Sequence, residues 1–156
     1  MKKSNFFKFV GLGGTLAAYL FHEKEKKKEL QKISESEKKM IQYYRFLNRW
    51  LVLKQKGNSI IDFFLENNYK SIAIYGYAEF GQRLHDELRE SEIEVKYIID
   101  KNIDQVWADI DIYGLDETFP SVDVIVVTAF FSYEEIEDEL LDRVTCPIVS
   151  IEDVVI

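Results

Sequence analysis

The sequence predicts an α/β protein: an open parallel sheet of five strands in the order 3-2-1-4-5, preceded by a long helix and an apolar leader. Three observations carry that expectation. Short apolar runs alternate with helical periodicities from residue 71 onward. A glycine turn, Gly76 to Gly81, lies between the first apolar run and the first helical stretch. An acidic residue, Asp100, closes the second run 19 residues beyond Gly81. At 156 residues the chain suits one domain with an appendage, read as a leader at 1–22, a helical segment at 23–68 and the sheet domain at 69–156.

The leader holds an uncharged run from Phe9 to Phe21. As a helix it is about 20 Å long, against roughly 30 Å of bilayer hydrocarbon. Starting at Phe6, with Lys8 snorkelling, brings it nearer to spanning length. Three readings fit. One is a membrane anchor or membrane-surface helix, touching lipid through residues 4–22 with the lysines that follow held on the cytoplasmic side. Another is a secretory signal with small residues at Ala17 and Ala18. The third is a buried or partner-binding helix. A cleaved signal would export a nucleotide-binding domain to where nucleotides are scarce, so it ranks last.

Residues 23–56 read as one helix, free of Gly and Pro until Gly57. Leu30, Ile33, Met40, Tyr44, Leu47 and Leu51 fall on alternating steps of three and four, with Glu37 in the one polar slot. That spacing suits a coiled-coil homodimer through residues 30–54. Ile41, Tyr43, Phe46 and Trp50 widen the apolar face, which favours packing on the protein's own domain through residues 40–53. Gly57 fits a C′ position, Asn58 or Ser59 caps a second helix, and Asn67-Asn68 ends it.

The strands are expected at Ser71–Tyr75, Glu94–Ile99, Ile110–Tyr113, Val122–Thr128 and Ile148–Ile151. Helices follow the first strand, with spacing over Gln82–Glu90, and the fourth, capped by Ser132 with Glu135 as capping-box partner. Aligned to G-x-G-x-x-G, the turn reads Gly76-Tyr77-Ala78-Glu79-Phe80-Gly81. The first glycine permits the bend and the third lets helix pack on strand; Ala78 in the middle hinders approach to a pyrophosphate. Amides of the helix beginning near Glu79 suit a phosphate, although the Glu79 carboxylate opposes one. Asp100, with Lys101 beside it, stands where an acid would hold ribose hydroxyls and repel a 2′-phosphate; the alternative is that Asp100 only begins a turn. In the predicted strand order, ligands bind between strands one and four. Thr128, Ala129 and Phe130 form the far lip there, with the Thr128 hydroxyl either donating to a ligand or satisfied by backbone.

Composition excludes other classes. A net charge of −8 leaves no broad basic surface, so nucleic acid is not an expected partner. One cysteine, Cys146, rules out an intramolecular disulfide or a multi-cysteine metal site, and His22 and His85 lack metal-ligand spacing. A phospho-receiver needs acids after strand one and a lysine at strand five, where Gly76-Tyr77 and Cys146-Pro147 stand. Cys146 precedes a strand and a proline, which suits a buried inert thiol better than a reactive one.

Three stretches, Ile-Ala-Ile-Tyr-Gly-Tyr-Ala-Glu-Phe-Gly, Tyr-Ile-Ile-Asp-Lys-Asn and Val-Asp-Val-Ile-Val-Val-Thr-Ala, resemble a Rossmann-like domain of bacterial surface-polysaccharide gene clusters. The likeness covers residues 68–156. It is similar to the nucleotide-sugar-binding N-terminal domain of sugar O-acyltransferases and to stand-alone epimerase-like or CoA-binding-like relatives. The resemblance implies that Gly76, Gly81 and Asp100 flank a nucleotide. The chain departs from the acyltransferases in lacking their hexapeptide-repeat domain, so transferase chemistry is not expected.

The resulting expectation is a nucleotide-binding accessory module for a nucleotide sugar or dinucleotide, linked to polysaccharide assembly. It would be cytoplasmic, with a tether to the inner face of the membrane through the leader as one reading. No catalytic constellation is recognised. Two alternatives stand: a small NAD-dependent reductase or epimerase-like enzyme, whose candidates Tyr77, Glu79 and His85 lack partners at recognisable spacing, and a ligand-free protein dimerising through residues 30–54.

Overall fold

The computed structural model describes residues 19–156 in full and residues 3–18 as helical backbone alone. The elements are α1 (Lys3–Gln55), α2 (Ile60–Glu66), β1 (Ser71–Tyr75), α3 (Glu79–Leu88), β2 (Glu94–Ile99), β3 (Asp111–Tyr113), β4 (Val124–Val127), α4 (Tyr133–Leu141), β5 (Ile148–Ser150) and α5 (Ile151–Val154). Single 3-10 turns lie at Ile103–Gln105 and Phe130–Ser132. All five strands are parallel, in the order β3-β2-β1-β4-β5. The chain divides into two compact units, residues 1–47 and 48–156.

In the second unit the central strands are covered on both faces. Ile72, Ala73, Ile74 and Tyr75 of β1 and all four residues of β4 are buried, which is why they read as unbroken apolar runs rather than alternating ones. On one face Ile136 and Leu140 of α4 join Ala73, Tyr75, Tyr97, Ile99, Ile125 and Val127 in a single core. On the other, α3 presses its first turn against β1 through Gly81, which faces Ile74. At the N-terminal ends of β1 and β4, the Asp123 carboxylate accepts from the amides of Lys70 and Ser71, both at 2.8 Å. Those bonds hold its carboxyl below the usual carboxylate range.

Local chemistry explains the boundaries. Gly57 takes φ +79°, as a C′ residue should, and Ser59 caps α2 in a full capping box with Asp62. Asn68 also adopts a left-handed φ of 59° where α2 gives way to β1. The capping box expected from Ser132 to Glu135 does not form. Ser132 closes a 3-10 turn, at φ −115° and ψ 21°, so its hydroxyl makes no cap bond. α3 begins at Glu79, three residues before its periodic stretch, because the helix springs directly from the glycine turn.

Within the same unit, the last turns of α1 bury Trp50 and Leu53. The Trp50 indole N–H donates to the Glu87 carboxylate of α3 at 2.9 Å, and the Lys54 ammonium meets the same oxygen at 2.9 Å. Of the stretch 40–53 expected to pack inward, Phe46, Trp50 and Leu53 are buried, while Met40, Tyr44, Leu47 and Leu51 are exposed. Among the described residues no helix is long and apolar enough to cross a membrane. The anchor and signal readings fall on residues 1–22, and the side chains of 1–18 lie outside the described residues.

Candidate functional site

The C-terminal edge of the sheet brings the predicted residues together. Gly76 bends the chain at φ +87°, a conformation that residues with a Cβ rarely adopt. Its amide donates to the Ile99 carbonyl at 2.8 Å, which ties the bend to the end of β2. Its carbonyl accepts from the Thr128 hydroxyl at 2.7 Å, and that hydroxyl also lies 3.1 Å from the Tyr75 carbonyl. Thr128 is buried and spends its one proton on the end of β1, so of its two expected roles the backbone-satisfied one is realised. Its Oγ1 would stand 3.0 Å from a Cβ at position 76. Gly81 has the close-packing role: a Cβ there would run into the Gly76 carbonyl.

Asp100 links the two strands. One carboxylate oxygen accepts from the Tyr77 amide at 2.9 Å and the other from the Asn102 amide at 2.8 Å. The acid therefore starts a turn and also reaches back across the glycine bend. A carboxylate offers about four lone-pair sites, so two remain for further donors. Beside it, the Lys101 ammonium turns to Glu139 of α4 at 3.0 Å. That bond is the main cause of a lysine pKa above its ordinary value.

The start of α3 is open. Ala78 is the N-cap residue, extended and without any side-chain cap bond, and Ala78 and Glu79 are exposed. Across the crevice, Ala129 is exposed and the Phe130 ring lies 5.7 Å from that of Phe80. Phe131 packs on Phe130 at 4.4 Å, so aromatic rings flank the crevice between β1 and β4. The Glu79 carboxylate is the one charge in the first turn of α3, and it weakens the pull of the helix dipole on an anion.

Sequence reasoning missed one pair. The Tyr77 hydroxyl and His85 Nδ1 stand 2.7 Å apart, and both residues are buried. His85 follows Leu84 on the inward stripe of α3, a signal that it packs inside. With its proton on Nε2 the ring accepts from the tyrosine. Burial chiefly lowers the His85 pKa from 6.5, Asp109 raises it, Arg89 lowers it and Asp86 raises it. A histidine with a depressed folded pKa binds fewer protons in the native state, so its contribution is intact above pH 6.5 and is lost as pH falls through the folded pKa. Thermal melts from pH 7.5 to 5.5 should fall more steeply for the native chain than for His85→Gln, which removes the titrating ring.

A wider cleft of about 570 Å³ opens beside β5, lined by Phe130, Tyr133, Glu134, Glu135, Glu152 and Asp153 among others. None of the glycine-turn residues lines it. Four carboxylates against the one Arg49 guanidinium that pairs with Glu152 at 2.7 Å leave the cleft acidic and disfavour a phosphate, so volume alone does not make it the nucleotide site. Cys146 is half-buried and burial raises its thiol pKa, which disfavours the thiolate. Among the described residues no group of His, Cys, Asp and Glu side chains is placed to hold a metal ion.

The strand order and the parallel pairing throughout define an α/β protein with an open five-stranded parallel sheet. In comparisons with known proteins, no family model, curated protein or solved structure matches the chain.

Proposed function

We propose that the sheet unit is a nucleotide-binding accessory module, taking a nucleotide sugar or a dinucleotide at the lip between β1 and β4. The observation that carries this reading is the meeting of two complementary features: the uncapped start of α3 at Ala78 and the Asp100 carboxylate bonded to the Tyr77 amide. In this account the amides at the start of α3 face the diphosphate and the free lone pairs of Asp100 take the ribose hydroxyls. The packed Phe80 and Phe130 rings form one wall beside the ligand. Tyr77 and His85, the pair best suited to moving a proton, are turned into the interior, which supports a binding role over turnover. Work beside enzymes of surface-polysaccharide assembly is the setting that the sequence resemblance suggests.

Thermal-shift measurements with UDP, a UDP-sugar, NAD, NADP and CoA test the proposal. Ligand at 100 times its dissociation constant adds about 2.7 kcal/mol to stability. Asp100→Ala is a poor probe alone, because it also strips acceptors from the Tyr77 and Asn102 amides. Glu79→Gln is cleaner: the side chain is exposed, and losing its charge should tighten nucleotide binding about two- to five-fold. A chain that responds to none of the five compounds would overturn the proposal in favour of a ligand-free interaction protein.

A further inference from the structure

α1 carries a stripe of exposed apolar residues. Leu30, Ile33, Met40, Tyr44, Leu47 and Leu51 are between 48% and 69% exposed. Trp50 and Leu53, by contrast, are buried and point elsewhere around the helix. These positions follow the alternating three- and four-residue steps that keep a seam facing a second helix, and Ile41, Tyr43 and Val52, also exposed, widen the face beside them. An exposed apolar stripe of this length marks an interaction surface. We propose that its occupant is a second copy of this chain, with the two α1 helices packed antiparallel.

The direction follows from charge. Glu37 fills the one polar slot between Ile33 and Met40. In a parallel pair equivalent positions meet, so two Glu37 carboxylates would oppose each other inside an apolar seam. In an antiparallel pair over residues 37–54, the register that sets Met40 against Leu51 and Tyr44 against Leu47 also sets Glu37 against Lys54 of the second copy, while Leu30 and Ile33 lie beyond this overlap. Lys54 occupies the next step of the same series and its side chain is 54% exposed. Its ammonium already holds Glu87 at 2.9 Å and has further donors for a second carboxylate. The inference does not depend on nucleotide binding, and either can fail without the other.

Sedimentation equilibrium of the full chain in density-matched non-ionic detergent should give twice the 18.4 kDa chain mass. The double variant Tyr44→Lys/Leu47→Lys changes two exposed positions, so far-UV dichroism should be unchanged while association weakens at least tenfold. In a Cys146→Ser background, a Met40→Cys chain mixed with a Leu51→Cys chain should form a disulfide-linked dimer in the mixture and not separately. Cross-linking of each variant with itself would overturn the antiparallel arrangement. A native chain that sediments as a monomer, or a double variant that dimerises as tightly as the native chain, would overturn the second copy as occupant. Flotation of a monomer with lipid vesicles, lost in the Tyr44→Lys/Leu47→Lys variant, would overturn the second copy and assign the stripe to a membrane surface instead.

Discussion

Replacing Trp50 by alanine is expected to cost the 48–156 unit about 3–5 kcal/mol of unfolding free energy, the loss typical of a buried tryptophan. Trp50 is 5% exposed, and its indole is the group through which the end of α1 grips α3. Two losses combine. The ring leaves a cavity, and Glu87, whose side chain is only 12% exposed, loses its tryptophan donor and keeps Lys54. Trp50→Phe separates them: it retains most of the apolar volume but not the N–H, so it should cost about 1–2 kcal/mol. Urea titration followed by far-UV dichroism measures both values. Equal losses for the two variants would mean that the hydrogen bond, and not the packing, holds the helix end in place.

Gly81→Ala is expected to destabilise by about 1–3 kcal/mol, although helix propensity alone would favour alanine by about 1 kcal/mol. The sign is therefore diagnostic. Gly81 lies within the first turn of α3, and an added methyl group would meet the Gly76 carbonyl, a backbone atom fixed by its bond from Thr128. Room can be made only by lifting α3 from β1 or by breaking the bend. A stabilised Gly81→Ala chain would show that helix and strand are not in close contact there.

The parts of the fold most legible in the sequence are those whose signals are local. β1 is legible from its unbroken apolar run, because a strand buried on both faces has no polar face to interrupt the pattern, whereas β2 opens on exposed Glu94 and Lys96 and is buried only from Tyr97 onward. The glycine bend was legible for the same reason: a left-handed turn and a close approach each demand glycine at a fixed position. What depended on three-dimensional convergence was not. Glu87 joins Trp50 and Lys54 across more than thirty positions of sequence, and no spacing announces it. Tyr77 reads as a turn residue, yet its side chain folds beneath the helix to His85. Asp100 was legible as an acid at the right distance, but its bond to the Tyr77 amide was not, since either of its expected roles gives the same sequence. Ser132 shows the opposite failure, a local motif overridden by the 3-10 turn that delivers the chain to α4.

We propose that the crevice lip, and not the acidic cleft beside β5, receives the nucleotide. The most direct test is amide chemical-shift mapping of the ¹⁵N-labelled full chain titrated with a UDP-sugar and, separately, with NAD. The account predicts saturable shifts concentrated at Tyr77, Ala78, Glu79 and Asp100 with at least one of these ligands. Saturable shifts confined to residues between Phe130 and Asp153, or no saturable shift with either compound, would contradict it.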